Sequence, residues 1–389
     1  MTRHLFLAGN TLLLAFVLPC FARSEQSSRN RRQLAFQEVV PFSAAQDSSP
    51  APAGMWMSPS EIATLPLSGP SYVSLKQAAD QTCRTPDLTN QNESANSCIL
   101  AKAFLYARTG QNSYFNDVAG ALRAVVSTHR YQGRALSLAR KLPTYVIAAD
   151  LVDLKTRDPE LDASFRSTMT YLLTADTVEG PRNLIECHER RPNNWGTHCG
   201  AARAAVAAYL GNKKEIARVA QVFKGWLGDR SSYAAFQYGA DLSWQCNPAI
   251  PVGINPKGCV REGHSLDGVL PDDQRRAGKF TWPPPQENYV YEALQGAMVQ
   301  AVILQRAGYN VFQWQDQALL RAFQWLYSEN GFPAQGDDVW LIPLVNYYYG
   351  TSFPFQGAGK PGKNMGWTDW THAQRSPGAA PNEDSGSHH

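Results

Sequence analysis

The densest concentration of chemically capable side chains is Glu186-Cys187-His188-Glu189-Arg190-Arg191-Pro192-Asn193-Asn194-Trp195-Gly196-Thr197-His198-Cys199-Gly200. Adjacent Asn side chains supply amide donors, and an imidazole transfers a proton near neutral pH. A bridge between Cys187 and Cys199 would fix the loop that carries both. Taken singly, an Asn before a helix reads as an N-cap and one His as a packed ring. Their concentration between two cysteines points instead to a site. A second cluster runs from Arg261 and His264 through Arg275 and Arg276 to Tyr289-Val290-Tyr291. Arginine holds a carboxylate bidentately, and tyrosine beside a cation acts as acid or base. Tyr289 and Tyr291 are two positions apart, so on a helix they point about 200° apart and at most one faces a given site.

These groups suit β-elimination from a uronic-acid polymer. The C5 proton lies α to a carboxylate, so its removal places enolate-like charge on a group that is already anionic. Amide donors and a cation must first neutralise that carboxylate. A base then takes the C5 proton and an acid protonates the departing 4-oxygen. Asn, His, Arg and Tyr cover these roles, so neither a metal nor an organic cofactor is expected. The expected partner is an acidic polysaccharide.

The compartment follows from the N-terminus and the cysteines. Arg3 and His4 precede an apolar run to Leu18, and Cys20-Phe21-Ala22 offers small residues for cleavage, so residues 1–22 read as a signal peptide. The product would be secreted or periplasmic, without a membrane association after cleavage. Six cysteines then remain, in three sequence-local pairs: Cys83–Cys98, Cys187–Cys199 and Cys246–Cys259. An even number in an exported chain reads as disulfides. Each would close a loop of about 15 residues and contribute about 3 kcal/mol in the chain-entropy model. With 36 basic against 33 acidic residues, overall charge recommends no nucleic-acid partner.

The elements that must hold these residues are helices. Residues 23–60 are rich in Ser, Pro, Gln and Arg and read as a flexible leader. Beyond it, apolar residues recur at three- and four-residue intervals over 97–108, 114–126, 136–154, 161–173, 201–210, 215–227, 289–306, 313–327 and 339–349, and strand-like alternation is scarce. AKAFLYARTGQ, AAVAAYLGNKK and AVILQRAGYN each run an Ala-rich helix into Gly110, Gly211 or Gly308, as a left-handed C-cap would require. Repeated, irregular helical hairpins joined by the long stretches 176–199 and 228–288 predict an all-α fold: an (α/α)n toroid, or incomplete barrel of helical hairpins. The catalytic domain is expected over 61–357, with a flexible tail over 358–389.

RPNNWGTHCGAARAAVAAYLGN resembles the asparagine-rich motif of the α/α-toroid alginate lyases and related polyuronate lyases, in which an Asn-Asn pair precedes a helix bearing a catalytic histidine. LDGVLPDDQRR followed by NYVYEALQGAMVQAVILQRAG resembles their second motif, where an arginine and then a tyrosine open a long helix. The resemblance covers about residues 95–350 in organisation. It implies cleavage of a mannuronate- or glucuronate-containing polymer, with Asn194 neutralising the carboxylate and His198 as base or its partner. Arg276 would be the activating cation and Tyr291 the acid or base. Asn193, Trp195, His264, Arg275 and Tyr289 are expected as substrate-binding or second-choice residues. The pattern departs from the commonest form, since Trp195 rather than His follows the Asn pair and PPPQ lengthens the approach to the tyrosine helix.

Two rivals use other residues. A glycoside hydrolase on the same toroid would need a carboxyl pair from Glu186, Glu189, Asp241, Asp272 and Asp273. A non-catalytic carbohydrate binder would stack sugars on Trp195, Trp244, Trp282 and Trp340. No pattern selects an oligomeric state.

Overall fold

The computed structural model describes residues 54–356 and 360–373. These all belong to one unit, Phe42–His389; the other, Met1–Pro41, lies outside the described residues, as does the expected signal peptide. Fifteen α-helices follow one another among the described residues: α1 Pro59–Ala63, α2 Pro70–Asp80, α3 Ala95–Thr109, α4 Asn112–Val126, α5 Ala135–Leu151, α6 Leu154–Arg157, α7 Pro159–Thr174, α8 Leu184–Arg190, α9 Asn194–Leu210, α10 Lys213–Trp226, α11 Pro271–Gln274, α12 Tyr289–Arg306, α13 Trp314–Ser328, α14 Leu341–Tyr349 and α15 Thr368–Thr371. The strands β1 Val260–Arg261 and β2 His264–Ser265 form one small antiparallel hairpin, with Arg261 opposite His264.

The helices sort into two layers by burial. Helices α3, α5, α9, α12 and α14 are buried over most of their circumference and contact one another in that order. Helices α4, α7, α10 and α13 show an apolar face and a solvated one, as an outer layer requires. An outer helix therefore alternates with an inner one along the chain, which is the expected all-α (α/α)n toroid. Gly110 and Gly211 end α3 and α9 with φ of 71° and 69°, the left-handed caps that turn each inner helix outward.

Small residues set how closely the inner helices approach. A Cβ on Gly296 of α12 would fall 2.4 Å from the His198 backbone nitrogen, and one on Gly200 of α9 would fall 2.1 Å from Gln300 Oε1. Gly296 thus lies beside Thr197 and His198, and Gln300 beside Gly200, so α9 and α12 run parallel with their N-termini at the same end. The three expected disulfides form, with Cα separations of 5.7 Å for Cys83–Cys98, 5.9 Å for Cys187–Cys199 and 5.7 Å for Cys246–Cys259.

Both ends of the expected domain need correction. The leader does not extend to residue 60: Met55, Trp56 and Met57 are buried, the Met55 amide donates to Asp150 Oδ2 at 3.0 Å, and Ser58 forms a capping box with Glu61 on α1. The tail does not begin at 358, because Asn364, Met365, Trp367 and Trp370 are buried. Helix α15 contacts both α14 and α2, and so closes the ring between its last and first hairpins.

A candidate active site at the N-termini of the inner helices

Helix α9 begins at Asn194, seven residues before the start that periodicity suggests. Asn193 is the N-cap, its side chain accepting from the Trp195 amide at 3.2 Å. Asn194 and His198 are therefore one turn apart on one helix face, rather than on a loop ahead of it. Both are fully buried, and neither Asn194 Oδ1 and Nδ2 nor His198 Nδ1 and Nε2 has a hydrogen-bond partner. Buried polar groups are normally paired, so two adjacent unpaired side chains on one face mark a place built for something other than the protein itself.

The face opposite belongs to α12. Glu292 Oε2 lies 3.9 Å from His198 Nε2 and is paired with Arg140 of α5, while Glu292 Oε1 is paired with Lys363. Arg140 Nε is buried without a partner. Two cations thus share one buried carboxylate. Burial, reinforced by the positive charges of Arg140 and Lys363, holds the His198 imidazole well below its usual range and therefore neutral. Thr144, one turn beyond Arg140 on α5, and Gln295, one turn beyond Glu292 on α12, both bond the Asn364 residue between them. Helices α5 and α12 thus run parallel as well, so three inner helices have their N-termini, the positive ends of their dipoles, at the same end.

The segment 271–277 ties two of these N-termini together. Asp273 of α11 accepts the Asn194 amide at 3.0 Å, its other oxygen is buried and unpaired, and burial pushes its carboxyl well up. Three residues on, the Arg276 guanidinium stands 3.6 Å from the ring centroid of Tyr289, the first residue of α12. Tyr289 is one turn before Glu292 on the same face. It is 39% exposed.

Tyr291, expected as the acid or base, lies in the core. It is fully buried, its hydroxyl donates to the Phe332 carbonyl at 2.6 Å, and burial pushes its pKa far up. A helix cannot present residues two apart to one side, and Tyr289 is the one that lies beside Arg276. Arg275 is likewise committed elsewhere, donating to Asp272 Oδ1 at 2.8 Å and packing on Gly239. The Trp195 ring lies against Gly180, and His264 stacks on Trp282 with centroids 4.2 Å apart. No contact among the described residues joins either to Asn194, His198 or Glu292.

Sequence reading missed Glu292, Arg140 and Lys363. Glu292 sits inside the quoted NYVYEAL motif, and Arg140-Lys141 is a charged pair in the otherwise apolar ALSLARKLPTYVIAADL, a signal of a buried charge with a purpose. Lys363 has no local signal. Of the rival carboxylates, Glu186 is bonded to Arg190 and the Arg182 amide, Glu189 to Arg203 and Arg218, Asp272 to Arg275 and Asp241 to the Ser243 amide, while Asp273 bonds the Asn194 amide through one oxygen and keeps the other unpaired. Of the proposed stacking platforms, Trp244 and Trp340 are buried in the core. Among the described residues, no three His, Cys, Asp or Glu side chains are grouped to hold a metal ion, and no helix is long and apolar enough to cross a membrane.

The fold is similar to that of a solved structure of alginate lyase A1-III, a histidine-to-alanine variant complexed with a tetrasaccharide. The TM-score is 0.52, with 12% identity over 88% of this chain and 100% of that one. An alginate lyase from Bacteroides ovatus aligns over 66% of each chain, with a TM-score of 0.41 and 12% identity. No protein-family model and no curated protein matches the chain.

Proposed function

We propose that this protein is a polysaccharide lyase that cleaves a mannuronate- or glucuronate-type polymer by β-elimination, leaving a 4,5-unsaturated uronate end. The observation that carries the reading is the pair of buried, unpaired side chains Asn194 and His198 beside the Arg140–Glu292–Lys363 cluster, whose two cations share one buried carboxylate. An anionic group bound there would receive the Asn194 amide and a His198 N–H, within the field of the cations Arg140 and Lys363. A uronate carboxylate meets that description, and its neutralisation is what makes the C5 proton removable.

Tyr289, not Tyr291, is the acid and base in this reading. Acting as the phenolate, its oxygen takes the C5 proton and becomes the phenol as the C5–H bond breaks and the C4–C5 double bond forms. The same proton passes to the 4-oxygen as the C4–O bond breaks. The Arg276 guanidinium over the ring is placed to stabilise negative charge on the phenolic oxygen during the transfer. In mannuronate and glucuronate the C5 hydrogen and the 4-oxygen leave from the same face of the sugar, so one tyrosine serves both steps. A polymer with the opposite C5 configuration needs a base on the other face, for which His198 is the available group. The fold, shared with an alginate lyase, agrees with this reading. The three disulfides favour an oxidising compartment outside the cytoplasm, consistent with export.

Purified protein mixed with polymannuronate, polyguluronate, glucuronan and hyaluronan tests the proposal through the ultraviolet absorbance of the conjugated double bond. A rise with polymannuronate or glucuronan is expected. Reducing ends without absorbance would identify a hydrolase, and no product from any of the four would overturn the lyase reading.

A further inference from the structure

The stretch 362–364 crosses the inner layer and is tied to three of its helices. Asn96 Nδ2 of α3 donates to the Lys363 carbonyl at 2.9 Å, and Ser97 Oγ to the Gly362 carbonyl at 3.2 Å. Thr144 Oγ1 of α5 donates to the Asn364 carbonyl at 2.6 Å, and Asn364 Nδ2 donates to the Gln295 carbonyl of α12 at 3.3 Å. Behind it, the Trp370 indole donates to the Pro66 carbonyl at 2.9 Å and its ring meets Phe104 edge-on. The backbone at Lys363 is thereby fixed, and only its side chain retains freedom.

That side chain occupies an uneven charge environment. Its ammonium pairs with Glu292 Oε1, a carboxylate already shared with Arg140, and approaches Asp337 Oδ2 at 3.6 Å. Glu292 is buried, whereas the Lys363 and Asp337 side chains are 31% and 44% exposed. The inner contact is held by the core. The outer one is a solvated pair of the kind that contributes little and exchanges readily.

We infer that Lys363 is a specificity-determining residue that binds a carboxylate of the polyuronate chain, which takes the place of Asp337 while Glu292 keeps the ammonium aimed at the site. The inference rests on the polyuronate reading above and deepens it. A neutral sugar offers Lys363 hydroxyl acceptors but no counter-charge, so the residue favours acidic polymers over neutral ones of the same shape. The closing segment, rather than any of the toroid's hairpins, supplies this part of the recognition.

Calorimetric titration of tetrasaccharides of mannuronate and of glucuronate, with cellotetraose as the neutral control, tests it in a Tyr289→Phe background that suppresses turnover. Lys363→Gln is expected to raise Kd for a uronate tetrasaccharide at least tenfold and to flatten its dependence on salt, with Lys363→Arg within threefold of the parent. An unchanged Kd and salt dependence in Lys363→Gln, or an equal change for cellotetraose, overturns the inference. A parent that binds neither uronate overturns both proposals. Binding by the parent, together with a wild-type protein that forms no unsaturated product, overturns the lyase reading alone and leaves Lys363 to be judged by the same Kd comparison.

Discussion

The guanidinium of Arg276 stands 3.6 Å from the ring centroid of Tyr289, while Tyr291, two residues on, spends its hydroxyl on the Phe332 carbonyl. Tyr289→Phe is therefore expected to abolish formation of the unsaturated product. Tyr291→Phe should keep most of the activity and lose about 1 kcal/mol of stability, because the Phe332 carbonyl loses its buried donor. Absorbance assays and urea melts of the two variants check this; an inactive Tyr291→Phe that folds normally would return the role to Tyr291.

Asn194 has no partner for either side-chain polar atom and is fully buried. Asn194→Ala should lower kcat by about 10²–10³-fold, the usual cost of one preorganised donor. Stability should stay within about 0.5 kcal/mol of wild type or rise, since no bond inside the protein is lost. Parallel measurement of kcat and the denaturation midpoint decides the point: a large stability loss would mean that Asn194 serves the fold.

Gly296 is where α12 meets the His198 backbone. The added methyl of Gly296→Ala must push the two helices apart, costing about 1–3 kcal/mol. It should also shift His198 relative to Glu292 and Tyr289, and a displacement near 1 Å costs about 10²-fold in rate. Steady-state kinetics and thermal melting would show both losses together.

Burial pushes the His372 imidazole down to about 3, with the Arg306 charge adding to the effect. The unfolded chain takes up this proton near pH 6.5 and the native protein does not, so the contribution is intact above pH 6.5 and is lost as pH falls toward 3. The slope is about 1.4 kcal/mol per pH unit. Asp273 and Asp338, whose carboxyls burial pushes up, titrate in the opposite sense. The effect should therefore be read as the stability difference between wild type and His372→Gln, measured by urea unfolding at pH 7, 6, 5 and 4. A difference that does not vary with pH would contradict it.

Much of the architecture was legible in local patterns because helices are local. The span 289–306 matches α12 residue for residue, and the three neighbouring cysteine pairs needed only chain connectivity. The start of α9 was misplaced because Asn194, Trp195 and His198 break the apolar periodicity. Asn194 and His198 are polar side chains buried at inner-helix positions, where hydrophobic pattern fails as a guide.

Sequence alone determined the helical class, the disulfide pairing and the two motifs from which Asn194, His198, Arg276 and the tyrosine helix come. It favoured Tyr291 over Tyr289, but the side that each residue of a helix faces depends on how that helix packs, and the close approach of Gly296 to His198 leaves Tyr291 in the core. Nor could it recruit Arg140 and Lys363, which lie 152 and 71 residues from Glu292 along the chain. Ionic attraction acts through space, and only ring closure by the segment after residue 359 brings that lysine to a carboxylate already held by α5 and α12.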